Sequence, residues 1–338
     1  EQAYKRMGFD TRIGAASIAE AFYPGIIVTS GDAEDTIETV QEISERVGAV
    51  VAPSVEACRH TADRMAVRKQ ANEELGLPVL DYEFAATPQE MHDAVERIGY
   101  PCVVKAPTSK DGEGFSFVHS DADLADAWRA ADRGLGQGAV VERFIDFDFE
   151  VTILAARSID PSTGELATWF CEPIGTRHRE GRLVESWQPA PLPEAAMDNA
   201  RSIAARITGA LASCGIFSVE MFVSGDDVYF SQVTPRPSRD GLVTFVTQRI
   251  NQFDLQAHAT QRLPIDSTLI SPGAVRFLEG HPSQAALAAA MAVEEVTVRM
   301  LGDGTLVLAT ADSAAEARQR TDEAVREIYN VDGKPGEN

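Results

Sequence analysis

Residues 103–115 of this chain read VVKAPTSKDGEGF. An apolar run ends in Lys105 and passes into a small, polar, glycine-containing loop, after which Phe115 begins another apolar run. A lysine at the end of a strand can reach a phosphate as a point charge, and glycines let backbone N–H groups turn toward phosphate oxygens. Because the loop joins two strands, it differs from a P-loop, which leads into a helix. Taken alone, the segment is also compatible with a flexible hairpin and an exposed lysine.

A second segment, further along the chain, has the groups that an adenosine needs. An apolar strand contains Glu142 and ends at Phe144 and Ile145, and Glu150 follows in the run FDFEV. An adenine ring needs an apolar slot with backbone donors and acceptors at a strand end, and a ribose needs a carboxylate that accepts its hydroxyl hydrogens. These residues are of the right types at a suitable spacing. A solvated strand carboxylate is the alternative interpretation of Glu150.

A third segment, residues 216–233, follows the pattern of a β-hairpin around the turn SGDD. Glu220 interrupts its first apolar strand, and the hairpin brings Gln232 close to it. A carboxylate in that setting is costly unless it is paired or bound to a metal, and Mg²⁺ on ATP is held by one or two carboxylates together with phosphate oxygens. Arg236, between two prolines, suits a forked grip on phosphate or carboxylate. A structural ion pair between glutamate and arginine is the alternative.

Composition and charge exclude several classes of protein. The 338 residues are 44% hydrophobic and 24% charged, which is ordinary for a globular protein of two or three domains. With 30 Lys and Arg against 52 Asp and Glu, the net charge is −22, so a nucleic-acid partner is not expected. The sequence has no run of 18 apolar residues and no signal-peptide pattern, and its four cysteines are widely spaced. We therefore expect a cytoplasmic protein without disulfides or membrane contact.

The pattern along the chain predicts an α/β and α+β protein in three parts. Residues 1–60 alternate helix and strand but lack the opening strand and glycine-rich turn of a doubly wound domain, which predicts a truncated α/β remnant. Residues 61–265 form the predicted core, with a lid subdomain at about 80–145. Residues 266–338 predict a small β-rich C-terminal domain with two alanine-rich helices.

Three local predictions bear on the site. Residues 59–75 predict one long polar helix, and residues 244–262 predict another. Residues 175–182 predict a polar loop in which His178, beside Arg177, is exposed rather than catalytic.

Together, the strand lysine, glycine loop, adenine strand and metal-binding hairpin resemble the ATP-grasp superfamily, in which these parts follow in this order. Further runs resemble one of its families, the formate-dependent phosphoribosylglycinamide formyltransferases. These runs are DR at 63–64, IGYPCVVK at 98–105, FDFEVT at 147–152, ESWQP at 185–189, TPRP at 234–237 and GLVT at 241–244. The resemblance covers residues 20–265 well and the C-terminal region loosely. It implies an ATP-grasp fold with a pre-ATP-grasp remnant at its N-terminus.

The family also implies a reaction. Formate attacks the γ-phosphate of ATP to give formyl phosphate, and the amine of glycinamide ribonucleotide then attacks the activated carbonyl. The resemblance thus implies a homodimeric enzyme of purine biosynthesis that uses ATP and Mg²⁺. By position, it implies that ATP is bound by Arg64, Lys105, Gly112, Gly114, Glu142, Phe144, Ile145 and Glu150; Mg²⁺ by Glu220 and Gln232; and the substrates by Arg177, Arg236, Ser238 and Asp240, with Arg236 and Lys105 as catalytic residues.

The chain departs from the family pattern at charged positions. Gln232 stands at the second metal carboxylate, and Glu113 replaces the lysine of the family's Gly-Lys-Gly loop. Arg239 stands at the substrate-binding carboxylate, so Asp240, one residue on, would have to substitute for it. The C-terminal lysine and paired arginines of the family have no clear match. These departures leave two alternatives open: a carboxylate–amine ligase with a different substrate pair, or a degenerate nucleotide-binding paralogue.

Overall fold

The computed structural model describes residues 1–29, 36–107, 114–179, 181–302 and 304–333. The described residues form β-sheets of two, four and nine strands. Helices cover these sheets, so the predicted mixture of α/β and α+β structure is present.

The N-terminal part is a small α/β unit. Its elements are α1 (Gln2–Arg6), α2 (Ile18–Phe22), β1 (Ile26–Val28), α3 (Ile37–Val47) and β2 (Val50–Ala52). The strands β1 and β2 pair in parallel, as the βα alternation predicts. Thr36 caps α3 by accepting a hydrogen bond from the Thr39 backbone, and Gly48 ends the helix in the left-handed region.

The helix predicted at 59–75 is wrong in its length. The structure has two helices instead, α4 (Val55–Ala62) and α5 (Arg64–Lys69), followed by a π-helical turn (Gln70–Glu74). Asp63 separates them because its side chain accepts hydrogen bonds from the backbone of Met65 and Ala66, at 2.9 and 3.1 Å. Aspartate is a strong N-cap residue and a poor interior one. The break places Arg64 at the first position of α5.

The four-stranded sheet lies within residues 80–145, where the sequence predicts a lid, and is called the lid sheet below. Its elements are β3 (Tyr82–Ala85), α6 (Pro88–Ile98), β4 (Cys102–Lys105), β5 (Phe115–Val118), α7 (Leu124–Asp132) and β6 (Ala139–Arg143). The strand order is β3-β6-β4-β5, and all pairs are antiparallel. Cys102, Val104 and Val141 pack against the helices. Since side chains alternate across a strand, Val103, Lys105 and Glu142 lie on the opposite face.

The nine-stranded sheet begins with β7 (Phe149–Ile159), β8 (Leu166–Phe170), β9 (Ile174–Arg179) and β10 (Arg182–Gln188). After α8 (Glu194–Leu211) come β11 (Gly215–Ser224) and β12 (Asp227–Thr234), which form the predicted hairpin. The prediction of a polar loop at 175–182 is wrong, because β9 and β10 occupy almost all of it. Polar residues misled the prediction, although one face of this sheet is polar and the strands are half exposed.

Two short helices follow, α9 (Thr244–Thr247) and α10 (Gln252–Thr260). The single helix predicted at 244–262 is therefore wrong. Asn251 interrupts it by capping α10, since its side chain accepts hydrogen bonds from the backbone of Phe253 and Asp254, at 2.9 and 3.3 Å.

The C-terminal residues extend the same large sheet. Their elements are β13 (Gly273–Glu279), α11 (Gln284–Ala290), β14 (Val296–Leu301), β15 (Gly304–Thr310) and α12 (Ala314–Asp332). The strand order is β12-β11-β7-β9-β10-β13-β15-β14, with β8 beside β7, so β13 joins β10 without a break. The three-part division stays a prediction. Within the described ranges, no helix has the length and apolar character needed to cross a membrane.

Two of the apolar cores flank the part of the large sheet that contains β7 and β11. Ile203 and Ile207 of α8 pack with Phe217 and Met221 on one face. On the other face, Leu154 and other apolar side chains pack against the α9–α10 region. The polar residues of the candidate site continue this second face.

Candidate functional site

A row of polar side chains crosses three neighbouring strands of the large sheet. Glu220 on β11 pairs with Thr152 on β7 and with Gln232 on β12. Such directly opposed residues have Cβ atoms about 4.5–5.5 Å apart. Since Thr152 and Leu154 are two residues apart, the row continues the apolar face toward α10. The structure thus brings the two predicted metal residues together.

A β-bulge makes this juxtaposition possible. The register of β11 and β12 shifts between Glu220, opposite Gln232, and Met221, opposite Phe230. Phe230 and Gln232 are two residues apart and would share a face in a regular strand. The extra residue, Ser231, lets Phe230 enter the apolar core while Gln232 faces Glu220.

Asp240 lies above this row, at the start of a 3₁₀ turn (Asp240–Val243). It is only 7% exposed, and its Oδ2 accepts a hydrogen bond of 2.7 Å from Thr152 Oγ1. The hydroxyl of Ser186 donates a 3.0 Å hydrogen bond to the backbone oxygen of Asp240. Burial raises the pKa of Asp240 above its ordinary value, despite the hydrogen bond from Thr152.

Burial and neighbouring carboxylates raise the pKa of Glu220. Burial raises the pKa of Glu220 to about 7, and the negative charges of Asp240 and Glu150 add to the effect, while His178 and Arg64 oppose it. Carboxylate and amide oxygens are ligands that suit Mg²⁺. The crowding of negative charge around Glu220 therefore fits a divalent cation.

Glu150 pairs with a residue that the sequence prediction dismissed. Its Oε2 lies 2.7 Å from Nδ1 of His178 on β9. Burial lowers the pKa of His178, but the hydrogen bond and charge of Glu150 outweigh burial and raise the pKa to about 9. The alternation of Thr176 and His178, which share one face of β9, is the sequence signal that could have identified this strand.

The face of the lid sheet opposite its helices carries a buried cluster of charges. Glu142 accepts a hydrogen bond of 2.6 Å from Lys105 Nζ and lies 2.5 Å from Arg68 Nη2. Burial alone would raise the pKa of Glu142, but Arg68 and Lys105 outweigh it and hold the pKa at about 2. Burial lowers the pKa of Lys105, although Glu142 opposes this effect.

Two arginines of α5 connect to this cluster. Arg64 is the arginine that the sequence predicts to bind ATP. Burial lowers its pKa, while the charges of Glu142 and Glu220 raise it. Arg64 thus lies between the lid and the large sheet. Arg68 was missed by the sequence prediction, although its spacing of four residues from Arg64 places both on one side of the helix. It is 3% exposed, and its Nη1 has no hydrogen-bond partner among the described residues.

Aromatic side chains adjoin the charged cluster of the lid. The ring centroids of Phe144 and Phe117 are 5.7 Å apart in an edge-to-face arrangement, and Phe115 lies 4.9 Å from Phe117. Phe144 and Ile145 are both partly buried. These apolar side chains adjoin the strand end at which the sequence predicts an adenine site.

The two predicted loop glycines differ in what the structure shows of them. Gly112 lies outside the described residues. Gly114 has a φ of +71°, and a Cβ there would lie 2.7 Å from Ala106 Cβ and 3.0 Å from the backbone oxygen of Ala130. The close approach of α7 therefore requires glycine at position 114.

The predicted substrate residues occupy different surroundings. Arg177, 48% exposed, lies 2.9 Å from the buried carboxylate of Glu185. Arg318 of α12 also holds Glu185, with two bonds of 2.9 and 3.0 Å, and its guanidinium lies 3.9 Å from the ring centroid of Trp187. Arg177 therefore shares its carboxylate with a second arginine.

The loop after β12 carries the remaining substrate candidates. Arg236 is partly exposed, and its backbone oxygen accepts a 3.4 Å hydrogen bond from Ser218. The amide of Gln252 holds the backbone of Ser238 on both sides, at 3.0 and 2.8 Å. Arg239 is exposed, and its guanidinium lies 5.6 Å from the ring centroid of Phe277.

A groove of about 1560 Å³ borders this loop at Pro237. The N-terminal residues form one wall, with Arg6 and Arg12, and Phe253 and Arg299 contribute to the other. Pro237, the residue after Arg236, thus lies at the edge of this groove.

The chain is similar to proteins of known name. The family model of the ATP-grasp domain matches residues 70–253. A formate-dependent phosphoribosylglycinamide formyltransferase of Corynebacterium efficiens is 47% identical, over 88% of this chain and 78% of that one. The protein of the same name from Paraburkholderia xenovorans is 39% identical, over 96% of this chain and 84% of that one.

Solved structures agree with these relatives. Glycinamide-RNase-transformylase T of Mycobacterium tuberculosis superposes with a TM-score of 0.78 and 33% identity, over 92% of this chain and 84% of that one. A carboxyaminoimidazole ribonucleotide synthase of Aspergillus clavatus, complexed with ATP, has a TM-score of 0.81 and 17% identity, over 97% and 90% of the two chains. At that identity, the second likeness concerns the fold alone.

Proposed function

The chain belongs to the formate-dependent phosphoribosylglycinamide formyltransferases of the ATP-grasp superfamily, and from this premise we propose how its two polar faces carry out formyl transfer. The resemblance inferred from the sequence and the ATP-grasp fold are thereby confirmed. The chain is an ATP-grasp enzyme of purine biosynthesis, and formate is its formyl donor.

One observation carries the proposal for the site. Helix α5 contacts both polar faces, since Arg68 lies 2.5 Å from Glu142 of the lid and Val67 packs in one core with Phe230 of β12. Arg64, on the same helix, interacts with the charges of Glu142 and Glu220. We infer that the two faces border one cleft, in which a ligand meets both. ATP fits this cleft, with its base against the aromatic side chains of the lid and its phosphates near the metal row.

The nucleotide contacts follow from the placement of each group. We expect the ring of Phe144 and the backbone of Ile145 to contact the adenine, and Glu150 to accept hydrogen bonds from the ribose hydroxyls. Lys105 and Arg64 provide positive charge for the phosphates. Binding of ATP would exchange part of the Lys105–Glu142 contact for a contact with phosphate.

Magnesium belongs to the same proposal. Glu220 and Gln232 face each other across one strand pair and would hold the ion, which supplies charge neutralisation on the phosphates when bound. Arg236 lies on the loop directly after β12, close enough in sequence to reach the same phosphates.

The reaction then proceeds in two steps. An oxygen of formate attacks the γ-phosphorus, the bond to the β–γ bridging oxygen breaks, and ADP leaves with that electron pair. The amine of the second substrate attacks the carbonyl of formyl phosphate, and inorganic phosphate leaves as the amine loses a proton. Arg236 stabilises the phosphoryl charge in both steps, while the closed lid excludes water from the acyl phosphate. The amine reaches it from the groove at Pro237.

A second candidate function differs from the first in the amine that accepts the acyl group. Arg239, at the position of the family's substrate carboxylate, is exposed against Phe277. A cation there does not suit an amine that the family holds with a carboxylate. The observation favours a carboxylate–amine ligase with a different amine as the second candidate.

The test measures ADP release with Mg²⁺, ATP and formate, with and without glycinamide ribonucleotide. We expect release to require both substrates and mass spectrometry to detect the formylated product. ADP release that depends on formate but yields no formylated ribonucleotide would favour the second candidate. We also propose that the protein is a cytoplasmic homodimer, as the family implies; sedimentation of a monomer at assay concentration would contradict the dimer.

A further inference from the structure

The two residues proposed to hold the metal provide only one negative charge. Gln232 faces Glu220 but carries no charge, so the row across the sheet offers Mg²⁺ a single carboxylate. Magnesium on ATP is usually held by one or two carboxylates together with phosphate oxygens. A second carboxylate could come from another element that reaches the same face.

Asp240 is such a carboxylate. Its Oδ2 accepts the hydrogen bond of Thr152 at 2.7 Å, and Thr152 is the residue directly opposite Glu220 on the neighbouring strand. Asp240 therefore lies over the same face of the sheet as Glu220, and both residues neighbour Thr152. The hydroxyl of Thr152 contacts Oδ2, which is one of the two oxygens of this carboxylate.

The turn that carries Asp240 is held firmly in place. Ser186 Oγ donates to the Asp240 backbone oxygen at 3.0 Å. The next residue, Gly241, packs so closely that a Cβ there would lie 2.2 Å from Gln252 Oε1 and 3.1 Å from a methyl carbon of Leu154. The turn therefore cannot move outward without breaking these contacts, and the carboxylate is preorganised over the row.

Burial argues against the alternative role of Asp240. A side chain that replaces the family's amine-binding carboxylate should face the space where a second substrate enters. Asp240 is 7% exposed and points toward Thr152, whereas Arg239 and Ser238 of the same loop are more exposed. Asp240 is therefore placed to act at the row of polar residues on the sheet rather than to bind the second substrate.

The nearby cation, His178, is directed at another carboxylate. Its Nδ1 lies 2.7 Å from Glu150, which leaves Asp240 and Glu220 as the pair of carboxylates around the row. Arg64 opposes the charge of Glu220 from the lid side of the cleft. The negative charge between Asp240 and Glu220 therefore suits a small divalent cation.

We propose that Asp240 supplies the second carboxylate for the nucleotide-bound Mg²⁺, in compensation for Gln232. The inference rests on the proposed function to the extent that the ligand is a metal–nucleotide complex. It does not depend on which amine accepts the formyl group.

The test uses the full chain and Mn²⁺, a paramagnetic substitute for Mg²⁺. Electron paramagnetic resonance follows Mn²⁺ binding in the presence of saturating ADP, and calorimetry measures ADP binding without metal. Asp240→Asn keeps the shape and the acceptor for Thr152. We expect it to weaken Mn²⁺ binding about tenfold or more, with unchanged binding of metal-free ADP. Asp132→Asn removes a buried carboxylate of the lid and is the matched control, with unchanged Mn²⁺ affinity.

A second variant keeps the inference testable if Asp240→Asn also changes folding. Adding Gln232→Glu to Asp240→Asn returns a carboxylate to the same row, and we expect it to restore Mn²⁺ affinity. Unchanged Mn²⁺ affinity in Asp240→Asn would overturn the inference, and so would a folded double variant without restored affinity. Neither result involves formate or an amine, so failure of the formyl-transfer assay would leave the inference standing.

Discussion

Buried carboxylates have pKa shifts of opposite direction on the lid sheet and on the large sheet. On the lid, Glu142 contacts two cations, Lys105 and Arg68, and its pKa falls to about 2. On the large sheet, burial and the nearby charges of Asp240 and Glu150 raise the pKa of Glu220 to about 7. The charge of Glu142 is balanced by Lys105 of the lid and Arg68 of α5, whereas the carboxylates around Glu220 carry negative charge that a bound cation can neutralise. We therefore expect the charges around Glu142 to be balanced before any ligand binds, and those around Glu220 to be balanced only when a cation binds.

The largest effect should come from breaking the charge balance of the lid. Glu142→Gln leaves Lys105 and Arg68 buried without their carboxylate, and removal of one partner from a buried pair costs about 3–5 kcal/mol. We expect that loss in the free energy of unfolding by denaturant titration. Glu83→Gln, which breaks the exposed pair with Arg97 on the same sheet, is the control and should change stability little. Equal losses in both variants would remove the distinction between buried and exposed pairs.

A smaller effect is expected on ligand binding when the lid loses its lysine. Lys105→Ala removes a charge-assisted contact with phosphate worth about 1.5–3 kcal/mol, so calorimetry should show ATP affinity about tenfold to a hundredfold lower. Lys69→Ala removes an exposed lysine of α5 and should leave affinity unchanged. An ATP affinity of Lys105→Ala equal to that of the unmodified protein would refute the phosphate-binding role.

The large sheet should respond to pH in the opposite sense to the lid. The folded pKa of Glu220 lies above its unfolded value of 4.5, so the folded protein binds more protons between about pH 4.5 and 7. Stability therefore falls as the pH rises through that window, and Glu220→Gln should flatten the decline. At pH 8 we expect the metal-free variant to be about 1–2 kcal/mol more stable, after allowance for partial exposure. A decline as steep in the variant as in the unmodified chain would show that Glu220 does not cause it.

The smallest effect concerns His178, which pairs with Glu150 on the large sheet. The folded pKa of His178, about 9, lies above its unfolded value of 6.5. Its contribution to stability is full below pH 6.5 and is lost as the pH rises through 9. The pair with Glu150 is partly exposed, so His178→Gln should cost about 1 kcal/mol or less at pH 6 and nothing at pH 10. Thermal melts at the two pH values test this, and an equal cost at both would refute the ion-pair explanation.

Much of the site could be predicted because its parts are local in the sequence. Lys105 ends an apolar strand, and the strand–turn–strand pattern of 216–233 brings Gln232 opposite Glu220 through a short hairpin. Both features depend on alternation and turn residues, which neighbouring residues decide. The helix breaks at Asp63 and Asn251 were missed because each side chain caps a helix in a pattern that otherwise continues.

By itself, the sequence determined the order of the chemical groups and therefore the family, the nucleotide and the class of reaction. The tertiary structure alone decided which charges meet: Arg68 with Glu142, His178 with Glu150, and Asp240 above the row that contains Glu220. These partners lie far apart in the chain, so their contact depends on strand register, on the bulge at Ser231 and on the packing of the turn at Gly241. The physical reason is that a ladder of backbone hydrogen bonds and a packed core set distances between remote residues, which no local pattern of side chains encodes.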